Sequence, residues 1–208
     1  MKRQKKGAQY HHGDLADAIL TVSEKLISQK GIEAFSLREA SRAIGVDPSA
    51  FYKHYKDKSE ILVALARIGF TQLSAMMVDE LKKKPNLKSE EKILALANAY
   101  YKFASAKSAL FGVMFKGVGV DSRDISLAGQ YSNNVGPYDL LLSIVKEWSA
   151  ERKLTGDINI MAIELWASIH GMIGLILDGT IRNDLVSKSP ALLIANIVGT
   201  VLTGLEQK

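Results

Sequence analysis

Apolar residues recur every three or four positions along most of this chain, and that period constrains the fold more than any single motif. Leu15, Ile19, Val22 and Leu26 follow at intervals of four, three and four, which places them on one helical face. Little interrupts such segments, because the 208 residues include only 4 prolines, and the 16 glycines fall mostly between apolar stretches. An all-β chain of this length needs more turn punctuation, so the expectation is an all-α protein. With 47% hydrophobic and 24% charged residues the chain is not wholly disordered. Its lack of cysteine excludes disulfides, cysteine-ligated zinc, iron–sulfur clusters and a thiol nucleophile.

Capping residues divide the first eighty positions. Gly31, after Gln29 and Lys30, is a helix stop with a basic last turn. Ser36 and Glu39 stand at the spacing of a capping box, in which hydroxyl and carboxylate each satisfy a free backbone amide. A second helix therefore begins at Ser36, runs through Leu37, Ala40 and Ala43, and ends at Gly45. Asp47 suits an N-cap and Pro48 the first helical position, where a missing amide hydrogen costs nothing. They predict a third helix of about two turns through His54. Asp57 and Glu60 repeat the cap logic for a long fourth helix through Ile61, Leu65, Phe70, Leu73 and Met77. Lys82 to Asn86 reads as a linker. Beyond it the pattern predicts helices near 89–107, 108–116, 129–152, 157–181 and 189–206, with a loop from Gly117 to Gly129. The expected organisation is a basic arm (1–9), a domain of short capped helices (10–70) and a helical bundle (71–208).

A capped helix, a glycine turn and a second short capped helix, braced by an amphipathic first helix, is the plan of a helix-turn-helix. The second helix must be short enough to enter a major groove, with an apolar inner face and a small or polar outer one. Val46, Ala50 and Phe51 suit the inside, and Asp47, Pro48, Ser49, Tyr52 and Lys53 the outside. His54, Lys56 and Lys58 follow where the chain would pass the sugar-phosphate backbone. Charge placement agrees. Four of the 27 basic residues, Lys2, Arg3, Lys5 and Lys6, lie in the first twelve positions with no acid, leaving 23 basic against 22 acidic in the rest. Such an arm attracts polyanions. A sequence-independent binder of DNA or of an anionic membrane surface is the alternative reading of it.

The segment from Tyr10 to Phe70 resembles the DNA-binding domain of the TetR/AcrR family of transcriptional regulators. The likeness is carried by Phe35-Ser36-Leu37-Arg38-Glu39-Ala40, by Ile44-Gly45-Val46, and by Phe51-Tyr52-Lys53-His54-Tyr55-Lys56-Asp57-Lys58. Tyr10-His11-His12-Gly13-Asp14-Leu15 and the later Trp166, His170 and Gly171 resemble one subgroup of the family. The resemblance implies that Ser36 caps its helix and touches phosphate, and that Arg38 reaches a base edge. It implies that Pro48, Ser49 and Tyr52 face bases, and that Tyr52, His54 and Lys58 meet phosphates. Lys53 departs from the aromatic residue found there in some members, so direct readout leans on Arg38, Lys53 and DNA shape. Arg38 has another reading, a salt bridge to Asp47 or Glu39, and His54 has one as a helix C-terminal cap.

By the same resemblance, the C-terminal bundle binds an effector and dimerises, the last two helices forming a four-helix interface with a second copy. Ala162, Leu165, Ile169, Ile173 and Ile176 give one of these helices a broad apolar face, and Ala191, Ile194, Val198, Val201 and Leu205 the other. Candidate effector residues are Tyr100, Phe103, Phe111, Met114, Phe115, Trp166 and His170, which suit a small apolar or aromatic molecule. The expected partner is a double-stranded operator, with repression relieved by the effector. No cofactor or metal is expected. The chain lacks a nucleophile elbow, a phosphate loop, a dinucleotide fingerprint and a His-Glu-x-x-His pair, so an enzyme is not expected. Ile158 to Leu177 has the length of a membrane span but contains Asn159, Glu164 and His170, and is better explained as a core or interface helix. A cytoplasmic location is expected.

Overall fold

The computed structural model describes residues 12–116, 135–181 and 189–207. Among them are nine helices and no strand: α1 (His12–Ala34), α2 (Leu37–Ile44), α3 (Pro48–Tyr52), α4 (Lys58–Lys82), α5 (Ser89–Ala106), α6 (Ser108–Lys116), α7 (Pro137–Arg152), α8 (Ile158–Leu177) and α9 (Pro190–Glu206). The all-α expectation holds. The basic arm, the expected loop from Gly117 and the first residues of the helix expected from 129 lie outside the described residues.

The chain divides into two compact units. The first comprises residues up to Gly69 together with α6 from Ala109; the second begins at Phe70 and holds α5 and α7 to α9. The helix α4 is shared between them along its length. The sequence period did not assign α6 to the first unit, because a nine-residue apolar helix has no marker of which core it joins.

Within the first unit, Leu15, Ile19 and Leu26 are buried on one face of α1, with Val22 half-buried beside them. Gly31 has φ 84° and ψ 166°, a conformation that breaks α1 where the glycine predicts a stop. At Gly69 a side chain would not fit: a Cβ there would lie 2.5 Å from Met114 Sδ. That absence lets α6 approach the backbone of α4.

The second unit is a bundle in which α5 packs on α7, α8 and α9, α7 on α8, and α8 on α9. Trp148 of α7 is completely buried, and Ile93, Phe103, Leu165 and Ile194 on the other three helices of the bundle are all at most 1% exposed. Its indole N–H donates to Glu90 Oε1 at 3.4 Å, so the one polar atom of the ring is satisfied. Glu90 also pairs with Arg152, whose Nε lies 3.3 Å from Glu206 Oε1, joining α5, α7 and α9 at one end.

Both α4 and α8 are long and apolar enough to cross a bilayer by length and composition. Only 33% of the most apolar stretch of α8 is buried within the chain. Met161, Leu165, Ile169 and Ile173 face the bundle, whereas Ile160, Ile163 and Leu175 are about half-exposed on the opposite side.

Replacing Trp148 with alanine removes the largest fully buried side chain and leaves Glu90 without the indole donor. We expect a loss of about 3–5 kcal/mol in urea unfolding, whereas the exposed Lys146→Ala on the same helix changes stability by less than about 0.5 kcal/mol.

Candidate nucleic-acid interface

Local chemistry sets the geometry of α2 and α3. Ser36 is extended (φ −136°, ψ 142°) and its hydroxyl accepts from the Glu39 amide at 3.4 Å, capping α2 as the sequence predicts. The capping box is only half made. The Glu39 carboxylate turns away from the Ser36 amide and pairs with Lys30 at the end of α1, a full opposite charge being the stronger partner.

At the other end of α2, Gly45 adopts the left-handed conformation (φ 79°, ψ 28°). This lets the Gly45 amide reach Ser41 and Arg42 carbonyls at 3.0 and 3.2 Å, while the Val46 amide reaches the Ser41 carbonyl at 3.1 Å. Asp47 then caps α3, its Oδ1 accepting from the Ser49 amide at 2.8 Å with Pro48 in the first turn. The helix has five residues rather than the two turns expected, but His54 and Tyr55 amides both bond back to the Phe51 carbonyl and prolong the turn.

Phe51 is 1% exposed and Ala40 and Ser41 are fully buried, so α2 and α3 are pinned together from beneath. Arg38, Pro48, Ser49, Tyr52 and Lys53 are all exposed. Tyr52, at 49%, is a large aromatic side chain held in solvent, which suits a surface awaiting a partner. Neither acid considered for Arg38 pairs with it, because Lys30 engages Glu39 and Ser49 engages Asp47.

Lys58 differs from the simplest phosphate-binding picture. It is half-buried, and its ammonium donates to the Glu33 carbonyl at 3.1 Å, tying the start of α4 to the end of α1. Asp57 and Glu60 cap α4 as predicted: Asp57 Oδ1 accepts from the Glu60 amide at 2.9 Å, and Glu60 Oε2 from the Lys56 amide at 2.7 Å. His54 is also half-buried. Tyr55 beside it has its phenol pushed up by burial, then by the charges of Asp17 and Glu60.

The seven candidate effector residues are split between the units. Phe111, Met114 and Phe115 lie on α6 in the first, with the two phenyl rings 5.0 Å apart. Tyr100, Phe103, Trp166 and His170 lie in the second. There the Tyr100 hydroxyl is 2.7 Å from His170 Nδ1, and the Trp166 and His170 rings meet edge-on with centroids 6.2 Å apart. Tyr138 of α7 packs at 5.7 Å from Trp166. Tyr100 is 4% exposed, and burial holds its phenol well above the ordinary range, with Trp166 pulling weakly the other way. A separate cavity of about 540 Å³ lies at the turn between α7 and α8, beside the end of α9. Met161, Ile160 and Leu205 line it with Arg152, Asp157 and Glu206, and none of the seven candidates does.

A braced helix-turn-helix with an exposed basic and aromatic face, followed by a helical bundle, defines the helix-turn-helix class of transcriptional regulators. The family model described as "Bacterial regulatory proteins, tetR family" matches residues 19–65, and "Tetracyclin repressor-like, C-terminal domain" matches residues 93–199. The chain belongs to the TetR family of DNA-binding transcriptional regulators.

It is 33% identical over 67 residues to the HTH-type transcriptional regulator AcrR of Shigella flexneri, a match covering 32% of this chain and 31% of AcrR. Over its whole length it is similar to a solved protein of unknown function from Rhodococcus sp. RHA1, with 28% identity, a TM-score of 0.75, and 96% and 99% of the two chains covered. A second Rhodococcus RHA1 structure, a regulatory protein in the tetR family, shares the fold at 17% identity and a TM-score of 0.67, covering 91% of this chain and 96% of that one.

The Asp47 cap gives a pH prediction. Bonds from Ser49 hold this carboxyl below its ordinary value, first through the hydroxyl and then the amide. A depressed folded value means that the cap's contribution is present above the ordinary carboxylate value and is lost as pH falls through the depressed one. The Ser49 amide proton resonance should therefore stay constant from neutral to mildly acid pH and move only below the usual Asp range. In Asp47→Asn that step should be absent.

Proposed function

We propose that this regulator is a ligand-responsive repressor that binds a two-fold operator as a homodimer and leaves it when a small apolar or aromatic molecule occupies the bundle. The observation that carries the DNA half of this reading is the exposed Arg38, Ser49, Tyr52 and Lys53 face, with the nearby acids Glu39 and Asp47 engaged elsewhere. In a helix-turn-helix the second helix enters the major groove while the first crosses the backbone, so α3 reads bases and α2 supports it. Arg38 suits a guanine edge, where a guanidinium makes a bidentate pair. Ser36, Tyr52, His54 and Lys58 would set register on phosphates, Lys58 by exchanging the Glu33 carbonyl for a phosphate oxygen. Pro48 adds shape. The arm with Lys2, Arg3, Lys5 and Lys6 would follow the phosphates or a minor groove.

The dimer reading rests on α8 and α9. Ile160, Ile163 and Leu175 of α8 and Leu192 of α9 are about half-exposed or more, on helices without a charged residue at those positions. Gly171 and Gly174 of α8 and Gly199 of α9 are helical glycines with open space where a Cβ would stand. Each weakens its helix by about 1 kcal/mol relative to alanine, and no contact within the chain requires the missing side chain. Close approach of a second copy's helices accounts for them better than a lipid surface does, since backbone contact needs a neighbouring helix.

For the effector, Tyr100, Trp166 and His170 supply a buried polar group in an aromatic setting, the usual character of a ligand site. Phe103 lines the same helix as Tyr100, while Phe111, Met114 and Phe115 would act through α6. The effector favours release only by preferring the non-binding conformer. We propose no catalytic step, no cofactor, no metal and no membrane partner, and a cytoplasmic place of action on DNA.

Two experiments test this reading. In selection from a random duplex library, the chain should enrich a palindrome with half-sites about 10–10.5 base pairs apart. Arg38→Ala should then cost about 1–3 kcal/mol and relax one position. Failure to enrich any sequence at moderate salt overturns specific recognition. In sedimentation velocity the wild type should be a dimer and Ile163→Glu a folded monomer with at least tenfold weaker operator binding. A dimeric Ile163→Glu rules out the α8 face.

A further inference from the structure

Two arginines stand one turn apart on α2, Arg38 and Arg42, and both side chains are exposed. The resemblance to known regulators draws attention only to the first. Glu39, three residues before Arg42 and next to Arg38, is the natural partner for either, yet its carboxylate is held by Lys30 of α1. The next acid along the chain, Asp47, accepts from the Ser49 amide at 2.8 Å. Among the described residues neither guanidinium has a carboxylate partner. Arg42 is also positioned: its Nε donates to the Arg38 carbonyl at 3.3 Å, holding the root of the guanidinium along the helix while its two outer nitrogens carry the fork. It lies in the last turn of α2, three residues before the left-handed Gly45 that turns the chain into α3.

We propose that Arg42 is a phosphate-anchoring residue of the DNA interface, and that the Lys30–Glu39 pair keeps its charge uncompensated. This rests on α3 being the helix that enters the groove. The helix preceding it then crosses the sugar-phosphate backbone. Four residues of helix rise about 6 Å, so Arg38 and Arg42 start from points one turn apart along the helix. With Arg38 directed at a base edge, Arg42 meets the flanking backbone, where a planar fork with two parallel N–H donors matches a phosphate. Its bond to the Arg38 carbonyl lays the Arg42 side chain along the helix, so the fork is already ordered when a phosphate arrives.

The test uses the full chain with a 30-base-pair duplex enriched by the wild type and a scrambled duplex of equal length. Affinity is measured across a salt series. Arg42→Gln should weaken binding to both duplexes by a similar factor, about fivefold to tenfold at moderate salt, and leave their ratio unchanged. It should also flatten the slope of log affinity against log salt by about 1 for each protomer engaged. Arg42→Lys, which keeps the charge but loses the Nε bond, should retain most of the slope. Circular dichroism melting should be the same for all three proteins. An unchanged slope in Arg42→Gln overturns the proposal. So does a lost sequence preference with the slope intact, because that marks a base contact. If Arg42→Lys behaves like Arg42→Gln, the bond to the Arg38 carbonyl is what counts, and the proposal falls. Should the wild type enrich no duplex, specific recognition fails, but the slope on the scrambled duplex still decides the role of Arg42.

Discussion

The angle between α2 and α3 hangs on the three residues Gly45, Val46 and Asp47. A helix end leaves carbonyls without partners, and the left-handed Gly45 lets two successive amides return to them. Asp47 then accepts from Ser49 and starts the next helix immediately. The turn thus satisfies part of both helix ends from within its own few residues. Phe51 and Ala40 pin the two helices from beneath. The exposed Tyr52, Lys53 and Arg38 are presented by this turn, and none of them has to stabilise it.

Charge pairing around that turn is selective. Lys30 takes Glu39, Lys58 takes the Glu33 carbonyl, and Asp57 and Glu60 serve backbone amides at the start of α4. The acids that stand near the exposed face of α2 and α3 are thereby occupied, and arginines remain on the surface. A nearly neutral protein body thus supports a locally cationic surface. On α8 and α9, apolar side chains and glycines stand on faces that one chain does not cover.

Helix positions were largely legible because caps and apolar period act within a few residues. Ser36, Asp47 and Asp57 cap as their types and spacing predict, and helices start or end within a few residues of Gly31, Gly45, Ser89 and Pro190. The outward set of α3 was legible for the same reason, as Phe51 must point inward and its neighbours outward. Three features escaped sequence reasoning. Lys30 diverting Glu39 is a choice between partners nine residues apart. The membership of α6 in the first unit depends on the fit of Met114 against Gly69, forty-five positions away in sequence. The bond between Tyr100 and His170 joins α5 to α8, and no spacing rule links residues seventy apart.

The sequence by itself determined which segments are helices, where they stop, and that a short capped helix after a glycine turn carries a polar outer face. These follow from local hydrogen bonding and periodicity, which neighbouring residues decide. Only the tertiary structure decided which charges are compensated and which remain available. It alone separated the candidate effector residues between two units, and it alone showed that much of the apolar surface of α8 stays uncovered in a single chain. Those outcomes depend on competition between distant partners for one carboxylate, one cavity or one helix face, and a linear pattern does not encode who wins.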